Sequence, residues 1–380
     1  MKFKFKNTTE QVELIKATGS RNEEVARKAI ITLAELLEKV IDQVLPQIDT
    51  TSAFYTTFPF DQDTDPSFPV EPLLNENQDM LSIWRQDRAG GLMTNYVTAP
   101  VTEIKFSTYK LDSAISWDNK FARKSRIDVI AKYIERLMQT ILIKTNRQAW
   151  IGLFSVLATA TYNGTPNVRR AITANNFTLD DLSKLITRVK RQNASWIGGS
   201  TSDKRGKLTD LWLSPEMMEQ IRDFAYNPIN TKVANKITPA GGDGDAAGTV
   251  TLPDADRAKF FSDAEMQSIF NVTLHEMNEL GTSQLYNDLF DEITSTSYAK
   301  PDGTGSAAFA SATDELMIGA DLGASDWALR AISRDPDSQN TFSLKADNQF
   351  LGREDKTGLY ASLEEGRVVI SGRVLHGLVI

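Results

Sequence analysis

The sequence predicts an α+β chain, and three features carry that prediction. Residues Ser125 to Ala158 hold one long helical pattern with a single apolar stripe, the residues just before it alternate as a strand does, and the second half interleaves helices with short strands. A length of 380 residues is enough for two or three hydrophobic cores at roughly 150 residues per domain.

In chain order, a polar lead comes first, then a helix opened by Ser20, with Glu23 three positions on in a capping-box arrangement, and closed before Pro46. Its apolar positions Val25, Ala29, Leu33, Leu36, Leu37, Val40 and Val44 form a stripe that must dock on its own subunit or on a neighbour. Asp49 to Pro72 follows, and its prolines at 59, 66, 69 and 72 predict an extended, non-helical course. From Leu73 to Lys110 the pattern predicts a long two-stranded excursion that turns at Arg85-Gln-Asp-Arg-Ala-Gly-Gly91. On its return Thr102, Ile104, Phe106 and Thr108 alternate with Glu103, Lys105 and Ser107, the period of a sheet with one buried face. A lone two-stranded arm is marginal in water, so this one needs a partner surface, for which another subunit is the natural candidate.

The long helix has Ile127, Ile130, Ile134, Leu137, Met138, Ile141 and Leu142 on one side, and its only residue of poor helix propensity is Gly152. At ~1.5 Å per residue it reaches roughly 50 Å. Lys132, Arg136, Lys144 and Arg147 fall opposite the stripe, and Lys120, Arg123, Lys124 and Arg126 precede it, so the segment is basic inside an acidic chain. Beyond it Thr178 caps a helix carrying Leu182, Leu185, Ile186 and Val189. A strand over Leu208–Leu213 then meets Ser214-Pro215, a cap followed by proline at the first helical position, and that helix ends near Tyr226. Residues 227–262 and 298–312 read as exposed loops, 269–274 and 315–320 as strands, and 325–332 as a helix. The chain closes on a strand with Val368, Ile370, Val374, Leu378 and Ile380 on one face, expected to join the sheet beside the long helix.

Composition excludes several functions. Hydrophobic residues make up 41% of the chain, and no apolar run approaches the ~18 residues of a membrane span. The basic opening Met-Lys-Phe-Lys-Phe-Lys leads into polar Asn7 to Glu10, which is not the pattern of a secretory signal. There is no cysteine, so disulfides, thiolate metal sites and cysteine nucleophiles are excluded. The two histidines, His275 and His376, lie far apart in sequence. His275-Glu276-Met-Asn-Glu279 has glutamate where the helical zinc signature needs its second histidine, and the Asp243-Gly-Asp245 run lacks the later ligands of a calcium loop. No glycine-rich phosphate loop is present. No cofactor is expected. The net charge of −8 opposes wholesale coating of nucleic acid while leaving a local basic face free to meet phosphates.

This order of parts resembles the major capsid protein of tailed bacteriophages, the Hong Kong 97 fold. The resemblance rests on the N-terminal arm, the projecting loop, the strand through Ser113-Ala-Ile-Ser-Trp117 into the long helix, the mixed α/β region, and the return Lys356-Thr-Gly-Leu-Tyr-Ala-Ser-Leu-Glu-Glu365 into a last strand. It implies an arm over 1–48, an extended loop region over 49–110, a peripheral domain with its spine helix over 111–177, an axial domain over 178–340 and peripheral C-terminal strands over 341–380. It further implies self-association into hexamers and pentamers of an icosahedral head, non-specific contact with packaged DNA, portal and scaffolding proteins as partners, no membrane, and residence in the virion after assembly in the host cytoplasm. On that reading Trp84, Arg85, Arg88, Gly90 and Gly91 are subunit-contact residues, and Lys2, Lys4, Lys6, Lys132, Arg136, Lys144 and Arg147 are the DNA-facing candidates. The only lysines of the loop, Lys105 and Lys110, lie near its base, so no covalent crosslink between subunits is expected, and a decoration or cement protein is a candidate clamp. The alternatives are an encapsulin-like nanocompartment shell and, in another class, a metal-dependent hydrolase around His275.

Overall fold

A computed structural model describes residues 9–48, 50–61, 64–70, 102–124, 127–162, 164–171, 176–196, 207–226, 268–300, 305–323, 327–335, 340–347 and 355–380. In the first part of the chain lie α1 (Thr9–Thr18), α2 (Glu23–Ile48), β1 (Thr56–Asp61), β2 (Ser67–Val70), β3 (Thr102–Lys105), β4 (Tyr109–Asp118), α3 (Asn119–Arg123) and α4 (Ile127–Thr159). Next come β5 (Thr161–Tyr162), β6 (Thr165–Pro166), β7 (Val168–Arg170), α5 (Leu179–Trp196), β8 (Asp210–Leu213) and α6 (Pro215–Tyr226). The remainder holds β9 (Ser268–Ile269), β10 (Val272–Glu276), α7 (Leu285–Ile293), β11 (Ser297–Ala299), β12 (Ser306–Ala308), β13 (Leu316–Ala320), β14 (Ala328–Arg334), β15 (Phe342–Asp347), β16 (Lys356–Val369) and β17 (Leu375–Val379). The mixture of helices with parallel and antiparallel strands makes the fold α+β.

The chain divides into two compact units, Met1–Ala149 with Ala328–Val368, and Trp150–Trp327 with Val369–Ile380. The divisions fall inside α4, between Trp327 and Ala328, and after Val368. In the first unit a five-stranded sheet runs in the order β1-β14-β16-β15, with β4 also paired to β16. The β4–β16 ladder is ten residues long, from Tyr109 opposite Glu365 to Asp118 opposite Lys356. Directly opposed residues share a face, so Ile115, Trp117, Leu359, Ala361, Leu363, Phe342 and Leu344 point one way. The stripe of α4 (Ile130, Ile134, Leu137, Met138, Ile141) and that of α2 (Ile30, Leu33, Ala34, Leu37, Ile41) bury that face. Lys110, Asp112, Lys345, Tyr360 and Glu364 alternate onto the other face and carry its polar surface, with the Lys110 ammonium 5.8 Å from the centre of the Tyr360 ring.

The second unit is built on a six-stranded sheet in the order β7-β17-β13-β8-β10-β9. Leu211, Leu213, Leu274, Met317, Leu378 and Ile380 pack with Leu182, Leu185 and Val189 of α5 and Met217, Met218 and Ile221 of α6. Both helices open on the caps their sequences announce. Thr178 Oγ1 accepts from the Asp181 amide at 3.2 Å, and Ser214 Oγ accepts from the Met217 amide at 3.1 Å.

Several expectations fail for identifiable reasons. The N-terminal lead is itself a helix, α1, whose Ile15 and Val12 join the α2 core. Asn22, not Ser20, caps α2, its Oδ1 accepting from the Glu24 amide at 3.2 Å, while Ser20 Oγ accepts from the Asn22 amide. Helix α2 also continues through Pro46 to Ile48, the proline removing one hydrogen bond of the last turn. Residues 325–332 are not a helix. Trp327, Ala328, Leu329, Ala331 and Ile332 form an apolar run that periodicity alone cannot assign, and β14 pairs parallel with β1 in the sheet interior. The segment 298–312 is not an open loop, because β11 and β12 pair as a hairpin and Tyr298 is fully buried, stacked on Phe290.

The last strand is two strands. Gly372–Val374 is a 3-10 turn that ends β16's direction, and Asn167 Nδ2 donates to the carbonyls of Gly372 (2.9 Å) and Leu375 (3.0 Å) to hold the turn. A Cβ at Gly372 would lie 2.9 Å from both Ala160 Cβ and Val156 Cγ1, so glycine lets the chain pass that close. Beyond the turn β17 pairs with β13 and β7 of the six-stranded sheet, not with the sheet against α4.

Candidate assembly surfaces

The basic arc of α4 is real as a surface. Lys132, Arg136, Lys144 and Arg147 are all exposed, with Ile143, 60% exposed, among them. At ~100° per residue the four cations span about 120° of the helix. Among the described residues none of the four has an ion-pair partner. The stripe on the opposite side forces this arrangement, because a helix that buries Ile130, Ile134, Leu137 and Ile141 must turn these four positions outward. Lys2, Lys4 and Lys6 lie outside the described residues.

A second candidate is the root of the predicted excursion. The strands on either side of residues 71–101 pair antiparallel, Ser67 opposite Lys105 and Val70 opposite Thr102. Phe58 of β1 packs on Phe68 of β2 at 5.8 Å and on Phe106 at 5.2 Å between ring centres. Trp84, Arg85, Arg88, Gly90 and Gly91 lie outside the described residues, as does the loop over 227–262.

Just below that root sits a buried ionic cluster. Glu365, fully buried, receives the Tyr109 hydroxyl, the Arg330 guanidinium at 2.7 Å and, in two-pronged fashion at 3.2 Å, the Arg367 guanidinium. Arg367 also donates to Thr51 Oγ1 at 2.9 Å and lies 5.0 Å from the centre of the Tyr55 ring. Burial first, then the Glu365 charge and hydrogen bond, hold the Tyr109 phenol well above its ordinary range. Three strands and the segment around Thr51 are therefore fastened through one carboxylate. The cluster was not singled out from sequence, although Glu365 and Arg367, two apart on a strand, must share a face.

The two histidines do not form a site. His275 Nε2 lies 2.7 Å from Asp210 Oδ1, and its ring stacks on Trp212 at 4.8 Å. His376 is fully buried, its Nε2 2.9 Å from the Arg373 carbonyl, and burial together with the nearby Arg188 charge pushes it down to about 3. Row by row across the sheet, His376 lies with Gly319, Leu211 and Leu274, whereas His275 lies with Trp212, Ile318 and Gly377. Successive residues of a strand point to opposite faces, so the imidazoles face opposite ways and cannot share an ion. No group of three or more metal-ligating side chains occurs among the described residues, and none of their helices is long and apolar enough to cross a membrane.

No protein-family model and no curated protein matches the chain. Solved structures that overlap it include the holo-SrpI encapsulin complex from Synechococcus elongatus PCC 7942, at 11% identity over 86% of this chain and 84% of that one, with a TM-score of 0.45. The capsid of the cyanophage P-SCSP1u overlaps at 14% identity over 85% of each chain, TM-score 0.47. The capsid of a native GTA particle overlaps at 12% identity over 87% of this chain and 90% of that one, TM-score 0.49. Each of these TM-scores is below 0.5, so a functional reading has to stand on the chain's own geometry.

Proposed function

We propose that this chain is the major capsid protein of a tailed bacteriophage, a Hong Kong 97-type subunit that associates into hexamers and pentamers of an icosahedral head around double-stranded DNA. The observation that carries the reading is the root of residues 71–101, where an antiparallel ladder and an aromatic cluster join the two strands on either side of that long segment. Such a root makes sense when the excursion bears load on something beyond its own core, and a neighbouring subunit is that something. The polar sheet face and the basic arc of α4, which has no ion-pair partner among the described residues, fit the same role, the arc as the DNA-facing side of the shell. Trp84, Arg85, Arg88, Gly90 and Gly91 are then contacts on the adjacent subunit, with Lys2, Lys4 and Lys6 adding to the inner charge. Portal and scaffolding proteins, and a decoration protein clamping the lattice, are the remaining partners of this scheme, and the finished subunit resides in the virion. No catalytic step is assigned, because the two histidines point apart and their neighbours are those of ordinary buried or surface residues.

The test is electron microscopy of the full chain, with mass by sedimentation. Closed particles of even size, or rings of six and five, are the expected result, while a stable monomer or dimer under every condition overturns the proposal. Even shells that enclose a co-purifying enzyme instead of DNA would move the assignment to a nanocompartment shell.

A further inference from the structure

Helix α2 has two apolar sides, and the first unit uses one of them. Ile30, Leu33, Ala34, Leu37 and Ile41 are buried, whereas Val25 (45% exposed), Leu36 (44%) and Val40 (37%) stand open to solvent. At ~100° per residue these three fall within about 60° of arc, while Ala29 in the same arc is already buried in its own unit. Ile31, also exposed, lies off this strip. On the flank away from the core run Glu24, Lys28, Glu35 and Lys39, all exposed, with Lys28 Nζ 3.1 Å from Glu24 Oε1 within the helix, an exposed pair weak enough to exchange partners.

This strip is complementary to itself when two copies meet antiparallel. Val25 then faces Val40 of the second copy, Leu36 lies between those two contacts, and Thr32 comes close to its own counterpart beside the two-fold axis. A two-fold axis of this kind keeps like flanks on the same side, so Lys28 comes opposite Glu35 and Glu24 opposite Lys39, each pair occurring twice. Those pairs set register more than strength, and the apolar strip supplies the attraction. The core-facing sides of both helices fall together on the other side of the contact. A parallel pair instead turns each charged flank toward the core-facing side of its neighbour, away from the opposing charges.

We propose that α2 is an isologous two-fold contact between copies of this chain, pairing antiparallel through Val25, Leu36 and Val40 about Thr32. This deepens the shell reading, on which the choice of occupant rests, by naming one subunit contact and its register. The chain has no cysteine, so introduced cysteines report without background. Full-length Thr32→Cys, mildly oxidised, is expected to run as a covalent dimer on a non-reducing gel, and so is the double variant V25C/V40C, whereas V25C and V40C singly remain monomeric. Lys28→Glu in the Thr32→Cys background is expected to lower the dimer yield several-fold, and adding Glu35→Lys to restore it. Efficient self-crosslinking of V25C means parallel pairing and overturns the proposal. Absence of dimer from both Thr32→Cys and V25C/V40C, in chains that circular dichroism shows to be folded, also overturns it and leaves the strip to another occupant. Failure of Glu35→Lys to restore the yield overturns the register. Micrographs of the same samples separate the two readings: crosslinked dimers without shells leave the pairing standing and the container failing, and shells without crosslinks do the reverse.

Discussion

Glu365 shows how much a single side chain can hold when every alternative to its partners has been removed. Its carboxylate is fully buried under Tyr109, Arg330 and Arg367. Truncation to alanine leaves two guanidinium groups beside an empty space, and removing one member of a buried charge cluster costs about 3–5 kcal/mol. Denaturant unfolding of Glu365→Ala should therefore show a loss of that size, with Glu365→Gln losing less because the amide oxygen still accepts. His376 makes a prediction in pH. Its folded form stays neutral down to about 3 against an unfolded value of 6.5, so below pH 6.5 the unfolded chain binds the proton that the folded chain refuses. Stability contributed by the neutral imidazole is thus fully present above pH 6.5 and is lost progressively as pH falls toward 3. Glu38 and Glu315, both raised chiefly by burial, act in the opposite sense, since the folded state takes their protons first and gains stability on acidification. Comparing His376→Gln with the parent isolates the histidine: the variant should show a flatter fall in melting temperature between pH 6.5 and pH 4, and an unchanged slope would refute the assignment.

At the level of elements, legibility followed the source of each signal. Helices α4, α5 and α6 were readable because a one-sided stripe and a capping residue are local facts, and Thr178 and Ser214 cap as their positions announce. Strand β14 was misread because its apolar run is buried on both sides of the strand, which erases the period that distinguishes a strand from a helix. The split of the C-terminal strand was unreadable for a different reason, since it depends on Val156, Ala160 and Asn167, some two hundred residues upstream of Gly372. The ionic cluster at Glu365 has the same character, its members meeting only when β4, β14 and β16 are assembled. Gly372 supplies the element-scale prediction. Gly372→Ala forces its new methyl against Ala160 and Val156, and overpacking of this kind costs ~1–3 kcal/mol. The loss should appear as a lower midpoint with an unchanged denaturant slope, whereas wild-type stability would mean that the α4 end shifts freely.

For the whole molecule, the basic arc makes a prediction about salt. If Lys132, Arg136, Lys144 and Arg147 meet phosphates, binding of duplex DNA is sequence-blind, and reversing all four to glutamate lowers the slope of log affinity against log salt by roughly 3 to 4, at ~0.9 per phosphate contact. A slope that does not move places the DNA contact elsewhere. The discontinuity of the two units has a further outcome, in the order of events during synthesis. The first unit's sheet needs β14, β15 and β16, which follow Trp327, and the second unit's sheet needs β17, which ends the described chain. A ribosome that has released α4 in full has made α2, β1 and β4 but none of β14, β15 and β16, so the core that Ile130, Ile134, Leu137 and Met138 share with Phe342, Leu344, Leu359 and Leu363 stays incomplete until the return strands emerge. Neither unit can therefore close early in synthesis, because each waits for strands that follow Trp327 in the chain.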